Sequence, residues 1–218
     1  MSFPFPRAAL LFAACFALGD SGLAQSAVRP SGFMEIPWNA PPDKVLELLR
    51  ARGDFELPET APTGGLLELT GGTFAGQPVA KWRFDFVNAQ FASATVTIKP
   101  ETNPPALYRE FKARLMEKYG PHTSERKLGP APDPQNGKKR DRKEPGLFGN
   151  VVQWKFPPTL ADRERKSVTV QLAAENGAPT MDEAALLLTV TYSNESLLEV
   201  ASKAAGPKGP APVKAEDL

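Results

Sequence analysis

One histidine, one cysteine and one short basic run are the features of this chain whose residue types could do chemistry. His122 follows a Gly120-Pro121 helix stop, where a lone imidazole would have to serve as general base with no partner marked for it. It reads as a loop histidine. Zinc or copper needs several His or Cys ligands, and the chain does not supply them. No spaced Asp/Asn/Gly loop for calcium is present, nor a Gly-x-Ser-x-Gly elbow, nor a glycine-rich phosphate loop before Lys-Ser/Thr. The sequence therefore assigns no catalytic, cofactor-binding or metal residue and implies no cofactor. A pair of acids acting on a substrate needs no motif, so a hydrolase built on acidic residues stays open as an alternative.

The basic run is Lys138, Lys139, Arg140, Arg142 and Lys143, interrupted by Asp141 and Glu144. It reads as a solvated loop that keeps its linker expanded. Together with Arg83 and Asp85 it makes up the candidate interaction surface. Overall charge is balanced, with 26 Lys plus Arg against 25 Asp plus Glu, so no global field favours nucleic acid or an anionic membrane. The expectation is a non-catalytic binding or protein-interaction module, its partner another envelope protein and not a nucleic acid.

Residues 1–24 read as a secretory signal peptide. Arg7 forms the n-region, Ala8 to Leu18 the apolar core, and Gly22 and Ala24 the −3 and −1 positions of a cleavage site. The apolar run of about 11 residues falls short of the roughly 20 that span a bilayer. The chain is thus expected to be exported, periplasmic or secreted, with no transmembrane span in the mature part. Phe12-Ala13-Ala14-Cys15 looks like a degraded lipobox, but Phe12 replaces the usual Leu and the apolar run continues past Cys15, so lipid anchoring is not expected. Cleavage after Ala24 leaves no cysteine, which excludes disulfides and thiolate chemistry and leaves stability to a core alone.

The element that must position everything else is Val79 to Lys99. Trp82, Phe84 and Phe86 alternate with Arg83 and Asp85; after an Asn88-Ala89 turn, Ala92, Ala94, Val96 and Ile98 alternate with Ser93, Thr95, Thr97 and Lys99. This is a β-hairpin with one apolar and one polar face. Around it, Asn39 to Asp43 starts a helix striped by Val45, Leu46, Leu48 and Leu49 and ended by Gly53. Leu66 to Ala75 reads as one strand bent at Gly71-Gly72. Asn103-Pro104-Pro105 starts a second helix with Leu107, Phe111 and Leu115 at helical spacing, stopped by Gly120-Pro121. Val151 to Phe156, Ser167 to Ala173 and Ala184 to Tyr192 read as strands, the last apolar enough for a central place, and Glu195 to Lys203 as a short helix.

These readings give an α+β fold: a curved antiparallel sheet of about six strands, two main helices on one face, and a helix-βββ-helix-βββ order that repeats at the level of elements only. Residues 25–32 form a flexible lead-in and 33–203 a single domain with a mobile basic loop at 128–149. The Pro/Gly-rich residues 204–218 make a disordered tail.

Ile36-Pro37-Trp38, the helix start with Val45 and Leu49, Phe86-Val87-Asn88-Ala89 and Lys118-Tyr119-Gly120-Pro121 together resemble small bacterial exported proteins and lipoproteins that open with Ile-Pro-Trp-Gly…Ser-Pro-Glu-Glu-Val. The chain departs from that pattern at Asn39, Pro41 and Ala89. The resemblance covers Phe33 to Pro121 and implies a fold and an envelope location, and no reaction. A looser similarity, resting on element order, is to β-lactamase-inhibitor-like helix-plus-sheet modules, which would imply protein binding.

Overall fold

The computed structural model describes residues 28–53, 55–60, 62, 65–128, 149–177, 180 and 182–204. The segment read as a signal peptide, the basic run and residues 205–218 lie outside them. From Val28 the chain is tied to the body. Arg29 donates to the carbonyls of Pro157 and Glu164, and Trp38 Nε1 donates to the Pro30 carbonyl at 3.0 Å. Between these anchors Gly32–Phe33 (β1) pairs with Ile36–Pro37 (β2) around a left-handed Met34-Glu35 turn. Phe33, Ile36 and Trp38 are buried, so this strap is part of the core.

The first helix, Pro42–Arg52 (α1), begins with proline at its first position and an acid, Asp43, in its first turn. It ends on Gly53, whose φ of 73° is the left-handed cap glycine allows. Leu66–Leu69 (β3) is shorter than the sequence suggests. Gly71 and Gly72, both at positive φ, break the expected Leu66–Ala75 strand instead of bending it. Beyond the break, Thr73–Phe74 (β4) pairs with Gln77–Pro78 (β5) in a separate small ribbon.

Lys81–Val87 (β6) and Gln90–Ile98 (β7) form the expected hairpin, with Asn88 and Ala89 both left-handed at its tip. A bulge after Asp85 pairs Phe86 with Phe91 and Asp85 with Ser93, so Ala92 is the extra residue. The second helix, Pro104–Tyr119 (α2), is capped by the Asn103 side chain, which accepts from the Ala106 amide at 3.1 Å. Glu110 and Arg114 pair on its solvated side at 2.6 Å. Ser124–Lys127 (β8), Asn150–Phe156 (β9) and Lys166–Ala173 (β10) come next. A single 3₁₀ turn at Glu183–Ala185 leads into Leu187–Asn194 (β11), which runs directly into Glu195–Ala204 (α3).

The main sheet is open and antiparallel throughout, in the order β3-β6-β7-β11-β10-β9-β8. It has seven strands against about six expected; the addition is β8, all of whose residues are exposed. β11 is the central strand, as its apolar run suggests. The element-level repeat has a spatial counterpart. α1 precedes β3-β6-β7, α2 precedes β8-β9-β10-β11, and the last strands of the two halves, β7 and β11, pair at the centre.

One sheet face is the core. Trp82, Val96, Val190, Val170 and Val152 form a single register row across it, all fully buried. The strap and the two main helices close this face. Phe33 packs on Trp82, Phe84 and Tyr192, Phe111 on Phe74, and Tyr119 on Phe156. The opposite face is polar, and it is only partly free. α3 packs against β6, β7, β10 and β11. Ser93, Ser193 and Ser167 share a row on that face and are buried to 5, 7 and 5% exposure, small side chains that let a helix approach closely.

Candidate functional site

On the part of the polar face not taken by α3, the pleat places two rows of side chains. One runs Glu68, Arg83, Thr95, Thr191, Thr169, Gln153; the next runs Lys81, Thr97, Thr189, Gln171, Val151. The threonine hydroxyls of β7 and β11 touch, with Thr95 Oγ1 and Thr191 Oγ1 at 3.2 Å. Towards the β3 edge the rows end in two exposed ion pairs. Lys81 Nζ meets Glu68 at 2.8 Å, and the Arg83 guanidinium meets Asp85 at 2.8 Å with an Nε hydrogen bond at 2.9 Å. The hydrogen bond that Arg83 donates to Asp85, and then the Asp85 charge, push the Arg83 guanidinium above its ordinary value. Exposed pairs of this kind add little stability and are available for exchange with a partner.

Of the candidate residues read from the sequence, the structure brings Arg83 and Asp85 together on this face. Lys138, Lys139, Arg140, Arg142 and Lys143 lie outside the described residues. Their flanks, Leu128 and Gly149, are joined by a 2.7 Å backbone hydrogen bond at the end of the β8–β9 hairpin.

His122 is more enclosed than a loop histidine. Its ring stands edge-on to Trp154 at 6.1 Å, and Nε2 lies 3.3 Å from Glu125 Oε2, the oxygen that also accepts from Lys112 Nζ at 2.6 Å. The Lys112 hydrogen bond outweighs burial and holds Glu125 below the usual carboxylate range. Nearby, burial pushes the Tyr108 phenol up to about 12, with the Glu125 charge adding to it. Tyr108 Oη and His122 Nδ1 are both buried with no hydrogen-bond partner among the described residues.

A second cluster has no signature in the sequence. Asp162 accepts from Lys166 Nζ at 2.7 Å and lies 3.5 Å from Arg29 Nε. Glu164 accepts from Asn39 Nδ2 at 3.1 Å and from Asn194 Nδ2 at 2.8 Å. Burial alone would raise Asp162. The Lys166 hydrogen bond, the Glu164 backbone amide and the charges of Lys166 and Arg29 prevail and hold it low. The network ties the strap, the β9–β10 connection and the start of α3 to one another.

Neither cluster has the form of a carboxylate-pair active site. Among the described residues the two carboxylates displaced from the usual range, Glu125 and Asp162, both move down, away from a proton donor's needs, and each is committed to cations. A cleft of about 350 Å³ beside the start of α2 holds Glu101 and Glu110, but Glu110 is engaged by Arg114. Among the described residues no group of three or more His, Cys, Asp or Glu side chains is placed to hold a metal. Nor is any described helix long and apolar enough to cross a membrane. Among the described residues the large apolar side chains left exposed are Val28 before β1, Met116 in α2, Leu160 between β9 and β10, and Val200 in α3, each on a different part of the chain. No protein-family model matches the chain, and no curated protein matches its sequence.

Proposed function

We propose that the protein is a non-catalytic binding module of the exported compartment, and that it meets a protein partner on the free part of its polar sheet face. The observation that carries this reading is the double row of side chains on that face. Five threonines and two glutamines lie on rigid strands beside the exposed Arg83–Asp85 and Lys81–Glu68 pairs, and the apolar face is used up by the core. Side chains held on paired strands lose little freedom on binding, so such a face can dock a partner at low entropic cost. The leader-like residues 1–24 support the compartment, and the resemblance to envelope proteins points the same way.

The test is a crosslinking pull-down of the tagged mature protein from its own envelope extract. Recovery of a defined protein by the native chain, lost with Arg83→Glu and Thr191→Arg, supports the reading. Recovery of no specific protein, or recovery untouched by both substitutions and by deletion of residues 129–146, counts against it.

A further inference from the structure

We infer that the end of the polar face beside the Ala174–Gly177 turn is a binding site for a small amphiphilic monoanion, a single carboxylate on an apolar body. This goes beyond protein docking and does not rest on it. A concavity of about 870 Å³ opens there, within the size range of small-molecule sites. Its polar side is set by strand register. Lys81 stands directly opposite Thr97, and Lys99, two residues on from Thr97, follows immediately after the end of β7 and lines the same concavity. Its apolar side is Leu187, which comes after the 3₁₀ turn and flanks Lys99 through the Leu188–Ile98 pairing, with Ala184 and Ala185.

The two sides call for different ends of one ligand. Lys99 has no ion pair among the described residues, and Lys81 is held only by the exposed, exchangeable contact with Glu68. Two ammonium groups flanking a hydroxyl suit a carboxylate, which takes charge-assisted bonds from both. The alanine and leucine wall offers nothing to a second polar group, and exposed Glu175 lining the same concavity repels a second negative charge. That excludes phosphomonoesters and dicarboxylates, which carry two negative charges, in favour of a ligand with one acidic end.

The experiment uses the ¹⁵N-labelled mature protein titrated with octanoate below its micelle concentration. Saturable shifts confined to residues 80–81, 97–99, 174–176 and 184–187 are expected. Octylammonium should fail to reproduce them, and Lys99→Gln should weaken binding about tenfold, as for one lost charge-assisted contact. Lys99 is exposed, so the variant keeps the fold, which its spectrum reports directly. Absence of saturable shifts, equal binding of octylammonium, or unchanged affinity in Lys99→Gln overturns the inference. A failed pull-down leaves it standing, because the ligand is tested without any protein partner.

Discussion

Replacing Gly32 with alanine should be among the most damaging small changes to this protein, for a reason unrelated to glycine's backbone freedom. A Cβ at position 32 would lie 2.0 Å from the Ile36 carbonyl oxygen, 2.8 Å from its carbon and 2.9 Å from Pro37 Cα. All three are backbone atoms of the paired strand, so no side chain can rotate away. Relief requires separating β1 from β2, and that ribbon carries Phe33 and Ile36, with Trp38 stacked on Phe91 at a centroid distance of 5.2 Å. Complete detachment would expose three large side chains at about 1.5–3 kcal/mol each, which sets a ceiling of about 5–9 kcal/mol. Overpacking relieved by local backbone shift costs about 1–3 kcal/mol. With a two-stranded ribbon that has little room to shift, about 3 kcal/mol is expected, a fall of about 6–12 °C in Tm for a domain of this size. Urea unfolding with Gly71→Ala as control makes the comparison. Gly71 has φ +79° but nothing within 4 Å of an added Cβ, so it reports conformational strain alone, about 1–2 kcal/mol. If Gly32→Ala unfolds within about 0.5 kcal/mol of the native chain, the close approach of the strap is wrong, since that is the spread of changes with no structural consequence.

The same contacts set several other outcomes. Asp162 is held low in the folded state, so its contribution is present above the usual carboxylate range and is lost as pH falls through the depressed folded value. Asp162→Asn should lower stability at neutral pH by about 2 kcal/mol, a figure reduced for its partial exposure. The variant should also flatten the acid side of the stability–pH curve from urea unfolding. Tyr108→Phe removes a buried hydroxyl that has no hydrogen-bond partner among the described residues and should be neutral or stabilising by up to about 1–3 kcal/mol; a clear loss would mean that the hydroxyl is satisfied by a fixed water. Burial raises the phenol to about 12, so the fold loses stability as pH climbs from the ordinary tyrosine range through the folded value, a loss that should be absent from a base titration of the Tyr108→Phe variant. Asn103→Ala should cost about 1 kcal/mol in thermal unfolding through loss of the cap on α2. Asn103→Gly should cost less, because the native φ of 45° strains alanine and not glycine.

Much of the fold was legible because its elements announce themselves locally. Period-2 alternation marks β6, β7 and β10, a continuous apolar run marks β11, prolines and a cap mark the starts of α1 and α2, and Gly53 marks the end of α1. The hidden parts are non-local or lack an apolar signal. β8 is four exposed residues, Ser124 to Lys127, whose strand character comes only from pairing with β9. The Arg29–Asp162–Lys166 network joins residues more than a hundred positions apart, with no spacing for a motif search to find. His122 shows the same limit. Its position after a helix stop gave its place in the chain, but its half-burial against Trp154 depends on β9, more than thirty residues on.

The polar face was read in its direction but not in its extent. Alternation in the hairpin puts Arg83, Asp85, Ser93, Thr95 and Thr97 on one polar face, which suggests that all of them meet solvent. The structure divides that face. The serine row lies under α3, whereas the threonine rows do not, and the difference is one of side-chain size at the point where a helix must approach the strands. Arg165 supports this arrangement from below the helix, pairing with Glu199, while its amide donates to Ser196 Oγ at 2.9 Å. The Asp162–Glu164 network, by holding Asn194 at the β11–α3 junction, fixes where α3 begins. A cluster with the composition of an active site therefore helps to set how much of the polar face α3 leaves uncovered. Loosening it through Glu164→Gln should leave the threonine rows in place and change the exposure of the serine row. Amide exchange at Ser93, Ser167 and Ser193, faster in the variant while Thr95 and Thr191 stay protected, is the expected result. Uniform loss of protection across the sheet would instead make the cluster a general stabiliser with no bearing on the face.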